Sequence, residues 1–341
     1  MKINDKYYLA GLFYTLMKST VEISRWIEDH LAKLQFEDRR PESLYEPLRY
    51  LFGLGGKRIR PLMLLLTYQA FTDAPLEKAM PFATAIEAFH NFTLVHDDIM
   101  DNAPDRRGQP TLHVKWNTNI AILSGDALFA YTYVLLAERI NDPYFAPVMK
   151  LYNEVVLGVC EGQMMDLAQA ETDAVSIPDY LEMIRKKTAV LIGGAMAIGA
   201  TASGEETNNV KILDTFGQQI GIAFQLKDDL LDLYADAEKF GKQTGGDIYE
   251  NKRNFLYLKA LEKGGAKDQT ELKRLFSQTE RSPQKLASVR QIYDRLGIQN
   301  ETEKLIQQYH TEAMQTIAPL ADIPGIRQLL ELLQPLMNRE H

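Results

Sequence analysis

The stretch "LVHDDIMDNAPDRRGQP", Leu94 to Pro110, ends a long apolar run in three aspartates and follows it with two arginines. From about residue 76 onward, apolar residues recur at the three- and four-residue spacing of a helix, and the period carries through Val95 to Asp97 and Asp101. Four apart, Asp97 and Asp101 share one helical face, with Cβ atoms about 5–6 Å apart. They lie toward the helix C-terminus, where the macrodipole disfavours negative charge. Two carboxylates in that place repel each other unless a cation neutralises them. The stretch therefore predicts an apolar helix that carries an ion site at its end.

The same pattern returns in "FQLKDDLLD", where Asp228 and Asp232 are four apart with Asp229 between them. Neither cluster has the histidine or cysteine neighbours of a zinc site. Carboxylate-only ligands suit a hard divalent ion, Mg²⁺ above all, which also binds phosphate oxygens. One such cluster reads as readily as a solvated acidic face. Two of them, each fused to an apolar run, point to metal.

Working outward, helical periodicity covers almost the whole chain, and alternating β-branched runs are scarce. The pattern predicts helices at roughly 20–35, 42–52, 61–73, 76–101, 116–140, 143–171, 178–202 and 206–236, with shorter ones after them. Pro61, Pro81 and Pro178 fit first helical turns, Ser176 an N-cap, and Gly204 a C-cap. The long segments are apolar on more than one face. They predict an all-α fold, a single-domain bundle of long antiparallel helices around a central cavity. Residues 18–341 form that domain in this reading, and 1–17 an N-terminal extension.

With 341 residues and 45% hydrophobic content, a large core is available. The net charge of −8 and the lack of a basic stripe argue against a nucleic-acid partner. No uninterrupted run of 18 apolar residues is visible, so no membrane-spanning segment is expected. The first twenty residues combine lysines with a short apolar run but lack a small-residue cleavage site, and read as an extension rather than a signal peptide. Cys160 is the single cysteine, so no internal disulfide can form, which suits the cytoplasm.

Cations complement the acidic clusters. "GLGGKRIRPL" places Gly55, Gly56, Lys57, Arg58 and Arg60 before and within the start of a helix, a natural anion site. Its spacing is not that of a nucleotide P-loop. Arg106, Arg107, Lys187, Lys242 and Lys252 each read singly as surface charge. Together they would serve two phosphorylated substrates, one held through metal and one directly.

These pieces resemble the trans-isoprenyl diphosphate synthases. "GGKRIRP", "HDDIMD" followed by "RRG", "GDALFA", "EGQMMD", "KTA" and "FQLKDDLLD" followed by "GKQTGGD" occur in that family's order across roughly residues 45 to 255. The resemblance implies an all-α enzyme, usually homodimeric, that elongates an allylic diphosphate with isopentenyl diphosphate. It implies roughly three Mg²⁺ ions per site, held by Asp97, Asp101 and Asp228, with Asp98, Asp229, Asp232 and Asp247 in support. It assigns Gly56, Lys57, Arg60, His90 and Arg107 to isopentenyl diphosphate. It assigns Arg106, Lys187, Lys242 and Lys252 to the allylic diphosphate, and Thr188 and Gln225 to the reacting centre. One departure stands out: where the family usually has Gly-Lys-x-Thr, this chain has Asn251-Lys252-Arg253-Asn254.

In that family, bulk just before the first aspartate shortens the product. Phe92 lies five residues upstream of Asp97, about 7.5 Å along the axis, Phe89 about 12 Å, and Thr93 four residues upstream is smaller. Either phenylalanine reads equally well as core. The combination favours geranylgeranyl diphosphate, with farnesyl diphosphate next and long polyprenyl products less favoured. A class I terpene cyclase shares the fold and the first motif, but usually carries an Asn/Ser/Glu metal motif where this chain has "DDLLD" and lacks "GGKRIRP". A regulatory subunit of a heteromeric synthase would typically have lost aspartates or cations that this chain keeps.

Overall fold

A computed structural model describes residues 17–34, 36, 38–172, 174–235 and 245–337. The all-α expectation holds: among the described residues the sole strands are two of two residues each. The contacts fall into two compact units. One comprises the chain up to Asn153 with Gly194–Lys211 and Leu320–Leu330, the other Glu154–Gly193, Ile212–Pro319 and the chain from Glu331 on.

In the first unit the central helix is Met80–Met100, flanked by Thr118–Ala137 and Ile59–Phe71. It is buried along nearly its whole first half, with Phe82, Ile86, Ala88 and Phe89 in the core. The expected 76–101 helix is interrupted: Leu76–Lys78 is a separate 3₁₀ turn, and Pro81 opens the α-helix proper. Proline tolerates a first turn, where its missing N–H has no partner to lose. Pro61 also lies in a first turn, although that helix begins earlier, at Ile59.

The helix Thr118–Ala137 bears on the expectation that no segment spans a membrane. By length and composition it is apolar enough to cross a membrane, because Ser124, Gly125, Asp126 and Thr132 break a strict apolar run without lowering its mean hydropathy much. Its inner side buries Ala121, Leu128, Leu135 and Leu136, and it packs against Met80–Met100 as a core helix does. Its outer side is also apolar: Leu123 is 59% exposed and Val134 51%, with Ile122 and Tyr133 beside them.

In the second unit, Phe255–Lys263 packs against Ile177–Ile184, Ala266–Phe276, Pro283–Leu296 and Ile298–Ile317. Ser176 caps as expected and Asp179 completes a reciprocal capping box. Between Ile177–Ile184 and Val190–Ser203 the five residues Arg185–Ala189 form a π-helical turn, a geometry common at functional sites.

Candidate active site

The first unit carries the Asp97 cluster. Asp97 is half-buried, Asp98 buried, and Asp101 exposed as the C-cap of Met80–Met100. The three aspartates are therefore not equivalent. Asp98 turns inward and accepts a forked contact from Arg106, with Nε at 2.9 Å and Nη2 at 2.6 Å. Burial holds its carboxyl above the ordinary range while Arg106 pulls it back.

Arg106 reaches Asp98 because of a hairpin that the sequence reading did not foresee. Asp105–Arg106 pairs antiparallel with Gln109–Pro110, and Arg107 and Gly108 form the two-residue turn, both at positive φ (56° and 72°). Such paired positive values match the twist of a tight hairpin. Arg107, at the tip, donates to the carbonyl of Gly55. That brings its guanidinium against Gly56, where a Cβ would lie 3.1 Å from it; at φ 156° the position also favours glycine.

The cationic loop is anchored from below. Arg58, 5% exposed, takes a left-handed conformation at φ 47° as the N-cap of Ile59–Phe71. Its guanidinium donates to Glu87 at 2.8 Å, Glu28 at 2.9 Å and the carbonyl of Phe52 at 3.2 Å. Arg60 donates to Nε2 of His90 at 3.0 Å, so His90 accepts there as a neutral imidazole. Burial, and then Arg60, pushes His90 well below the ordinary histidine range. Lys57 stays exposed. The expected isopentenyl diphosphate set of Gly56, Lys57, Arg60, His90 and Arg107 thus falls within this one unit.

Just upstream of Asp97, Phe92 stacks on Phe129 with centroids 5.0 Å apart, and Phe89 joins Phe92, Phe129 and Tyr152 in one aromatic cluster. Phe89 is wholly buried and Phe92 half-buried. Thr93 donates its hydroxyl to the carbonyl of His90.

The second unit carries the other cluster around a cavity of about 420 Å³, lined among others by Lys187, Thr188, Gln225, Asp229, Asp247 and Lys252. Four-residue spacing pairs Asp228 with Asp232, whereas the aspartate of this cluster that lines the cavity is Asp229, with Asp228 exposed beside it. Gln225 links two expected residues, accepting from Thr188 and donating to Asp229, both at 3.1 Å. The buried Tyr180 hydroxyl donates to Asp229 from the other side. Asp232 accepts the backbone N–H of Asp247 at 3.0 Å.

These carboxylates crowd one another. Burial and then Asp247 push Asp229 up to about 8 and Asp232 up to about 6. Burial also raises Asp247, against the pull of Lys252 and Asn254. Buried carboxylates that resist ionising together are groups a divalent cation would neutralise, so the donor set fits Mg²⁺. Among the described residues no three acidic, histidine or cysteine side chains form a metal cage by themselves. Mg²⁺ needs none, since it binds through one or two carboxylates and completes its shell with water and phosphate oxygens.

Lys187 sits on the π-helical turn and pairs with Asp166 at 2.6 Å. A Cβ at Gly162 would lie 2.2 Å from the Lys187 backbone nitrogen, so only glycine lets the two segments meet. Lys252 lies 3.0 Å from Glu250 and 3.6 Å from Asp247. Tyr180 and Glu87 were not singled out in the sequence, where each reads as an isolated residue of an apolar or amphipathic helix, and Asp166 entered only as the last residue of "EGQMMD". Lys242 and the N-terminal extension up to residue 16 lie outside the described residues.

Comparison with known proteins agrees with the family that the motifs resemble. Residues 41–296 match the polyprenyl synthetase family model. The chain is 36% identical over 303 residues to a geranylgeranyl diphosphate synthase of Methanosarcina mazei, covering 89% of this chain and 91% of that one. It is 37% identical over 308 residues to a geranylgeranyl pyrophosphate synthase of Geoglobus acetivorans, covering 89% and 93%. A crystal structure of a geranylgeranyl pyrophosphate synthase matches with a TM-score of 0.88 at 38% identity, over 95% of this chain and all of that one. Two aspartate clusters, each with its own cations on an all-α scaffold, define a prenyltransferase. The chain belongs to the polyprenyl synthetase family, the trans-isoprenyl diphosphate synthases.

Proposed function

We propose that this chain condenses isopentenyl diphosphate with an allylic diphosphate to make geranylgeranyl diphosphate, with residues 18–341 acting as one catalytic domain. The observation that supports the reading is that, among the described residues, each aspartate cluster lies beside cations with fixed partners. Arg58 and Arg107 fix the Gly55–Arg60 loop, and Gln225 and Tyr180 fix Asp229. Lys57, Arg60, His90 and Arg107 would hold isopentenyl diphosphate, with neutral His90 keeping Arg60 aimed. Lys187, Lys242 and Lys252 would hold the allylic diphosphate, with Arg106 fixing Asp98 as well as adding positive charge. Asp97, Asp101, Asp228 and Asp232 would hold Mg²⁺, with Asp98 and Asp229 behind them. Bound Mg²⁺ supplies charge stabilisation of the departing diphosphate.

The chain's own groups do the rest. The allylic C–O bond breaks, the double bond of isopentenyl diphosphate attacks the resulting carbocation, and a proton passes to the released diphosphate. The cations hold negative charge where it develops. Met183, Ile184 and Phe276 give the cavity an apolar wall, beside which the cation would meet less of the water that would otherwise trap it.

Incubation with Mg²⁺, labelled isopentenyl diphosphate and each allylic primer, followed by chromatography, tests this. Label in a C20 diphosphate is the expected result; no incorporation with any primer would overturn the synthase reading, and a farnesyl-only product the chain length. Phe92→Ala is expected to lengthen the products, since it opens the ring wall nearest Asp97 while Phe89 stays buried. An unchanged product distribution would remove Phe92 from that role.

The exposed apolar side of Thr118–Ala137 supports a homodimer. Such a patch is a liability on a monomer and a natural protein interface. Leu123→Glu is expected to shift the protein from dimer to monomer in sedimentation; a wild type that is already monomeric would sink this reading. The lone, exposed Cys160 fits a reducing cytoplasm.

A further inference from the structure

The loop Asn251–Asn254 departs from the family pattern, and it is tied to the fold through its side chains. Asn251 sits at φ 59°, in the left-handed region that disfavours most residues and that asparagine tolerates. Its amide is used at both ends. Oδ1 accepts from Nζ of Lys285 at 2.6 Å, and Nδ2 donates to the carbonyl of Gln278 at 3.1 Å. Lys285 closes the triangle by donating to the same carbonyl at 2.9 Å. Arg253 donates to the carbonyls of Gln169 and Ala170 at 3.1 and 2.7 Å, and Asn254 donates to Asp247 at 3.0 Å while capping Phe255–Lys263. Lys252 pairs with Glu250 and Asp247, and its side chain, 46% exposed, lines the cavity.

Lys285 is unusual in its own right. Lysine is almost never fully buried without an ionic partner, yet Lys285 is 1% exposed. Among the described residues its ammonium meets neutral oxygens and the face of Phe276, 5.9 Å from the ring centroid. Burial accordingly lowers its pKa. Two short hydrogen bonds offset part of the cost of placing an ammonium there. One of them grips the residue immediately before Lys252.

We propose that Lys285 is a positioning residue for the diphosphate-binding Lys252, acting through Asn251. The inference rests on the reading of Lys252 as a ligand of the allylic diphosphate. A glycine at position 251 would accept φ 59° without strain but would offer no side chain to hold. Asparagine with Lys285 gives the loop one fixed path, so less ordering is left to be done when the diphosphate arrives.

The test is steady-state kinetics with Mg²⁺ on Lys285→Met, Asn251→Gly, their double variant and Lys252→Ala. Lys285→Met is expected to raise KM for the allylic diphosphate roughly tenfold, with kcat and the KM for isopentenyl diphosphate changed less than about twofold. The double variant should be no worse than Lys285→Met alone, since both changes break one tether. Unchanged allylic KM in Lys285→Met, an equal rise in both KM values, or additive effects in the double variant would overturn the proposal. Should Lys285→Met fail to fold, Asn251→Gly decides: an unchanged allylic KM refutes the tether. Lys252→Ala separates the two readings. If it leaves the allylic KM unchanged, the assignment of Lys252 fails and the proposal with it; if it raises KM while Lys285→Met does not, the tether alone fails.

Discussion

Asp97→Ala is expected to lower kcat by a factor of about 10³ or more, a loss of roughly 4 kcal/mol of transition-state stabilisation. Stability should hold or rise. Asp97 lies in the last turn of Met80–Met100, where its charge opposes the helix dipole and the charges of Asp98 and Asp101. The helix end itself does not depend on the side chain, because the 2.9 Å bond from the Asp101 N–H goes to the Asp97 backbone carbonyl. A carboxylate that opposes its own helix dipole is one that a bound cation would neutralise. The pair of readouts is kcat over a Mg²⁺ titration and the thermal midpoint. Activity within tenfold of wild type would remove Asp97 from the metal set. A fall in the midpoint comparable with the loss of a buried ion pair would give it a structural role instead.

What the sequence made legible follows from the range of each interaction. The helix containing Asp97, the capping box at Ser176 and Asp179, and the stop at Gly204 depend on neighbours three or four residues away, and spacing reveals them. The hairpin at Arg107–Gly108 did not show itself, because two-residue strands leave no alternation to read. Glu87 was invisible for a different reason. A single carboxylate amid alanines and phenylalanines has Asn91, four residues on, as a neutral local partner, while its charge partner Arg58 comes from 29 residues away in sequence. The second cluster shows a mixed case. Spacing found its aspartates, but which of them faces the cavity depends on Tyr180 and Gln225 gripping Asp229, a tertiary choice that a four-residue period does not encode. Lys285 sits in an amphipathic helix whose other basic residues, Arg290 and Arg295, are solvated, so only burial marks it out.

The buried pair of Arg58 and Glu87 gives the largest expected loss of stability. Arg58→Met should cost about 3–5 kcal/mol, because Glu87, 3% exposed, is left buried without its charge partner and with Asn91 as its remaining side-chain donor, at 3.1 Å. The loss should show as a lower thermal midpoint. Replacing both partners, Arg58→Met with Glu87→Leu, should recover most of that loss, since two apolar side chains leave no buried charge behind. Recovery of stability is not recovery of the loop. Arg58 also donates to Glu28 and to the carbonyl of Phe52, and it sits two residues before Arg60 at a left-handed φ. The double variant should therefore melt near wild type while its KM for isopentenyl diphosphate stays raised by about tenfold or more. If stability and KM recover together, Arg58 serves the core and not the loop. If neither single nor double replacement moves the midpoint, the pair is not the anchor that its burial and 2.8 Å contact make it.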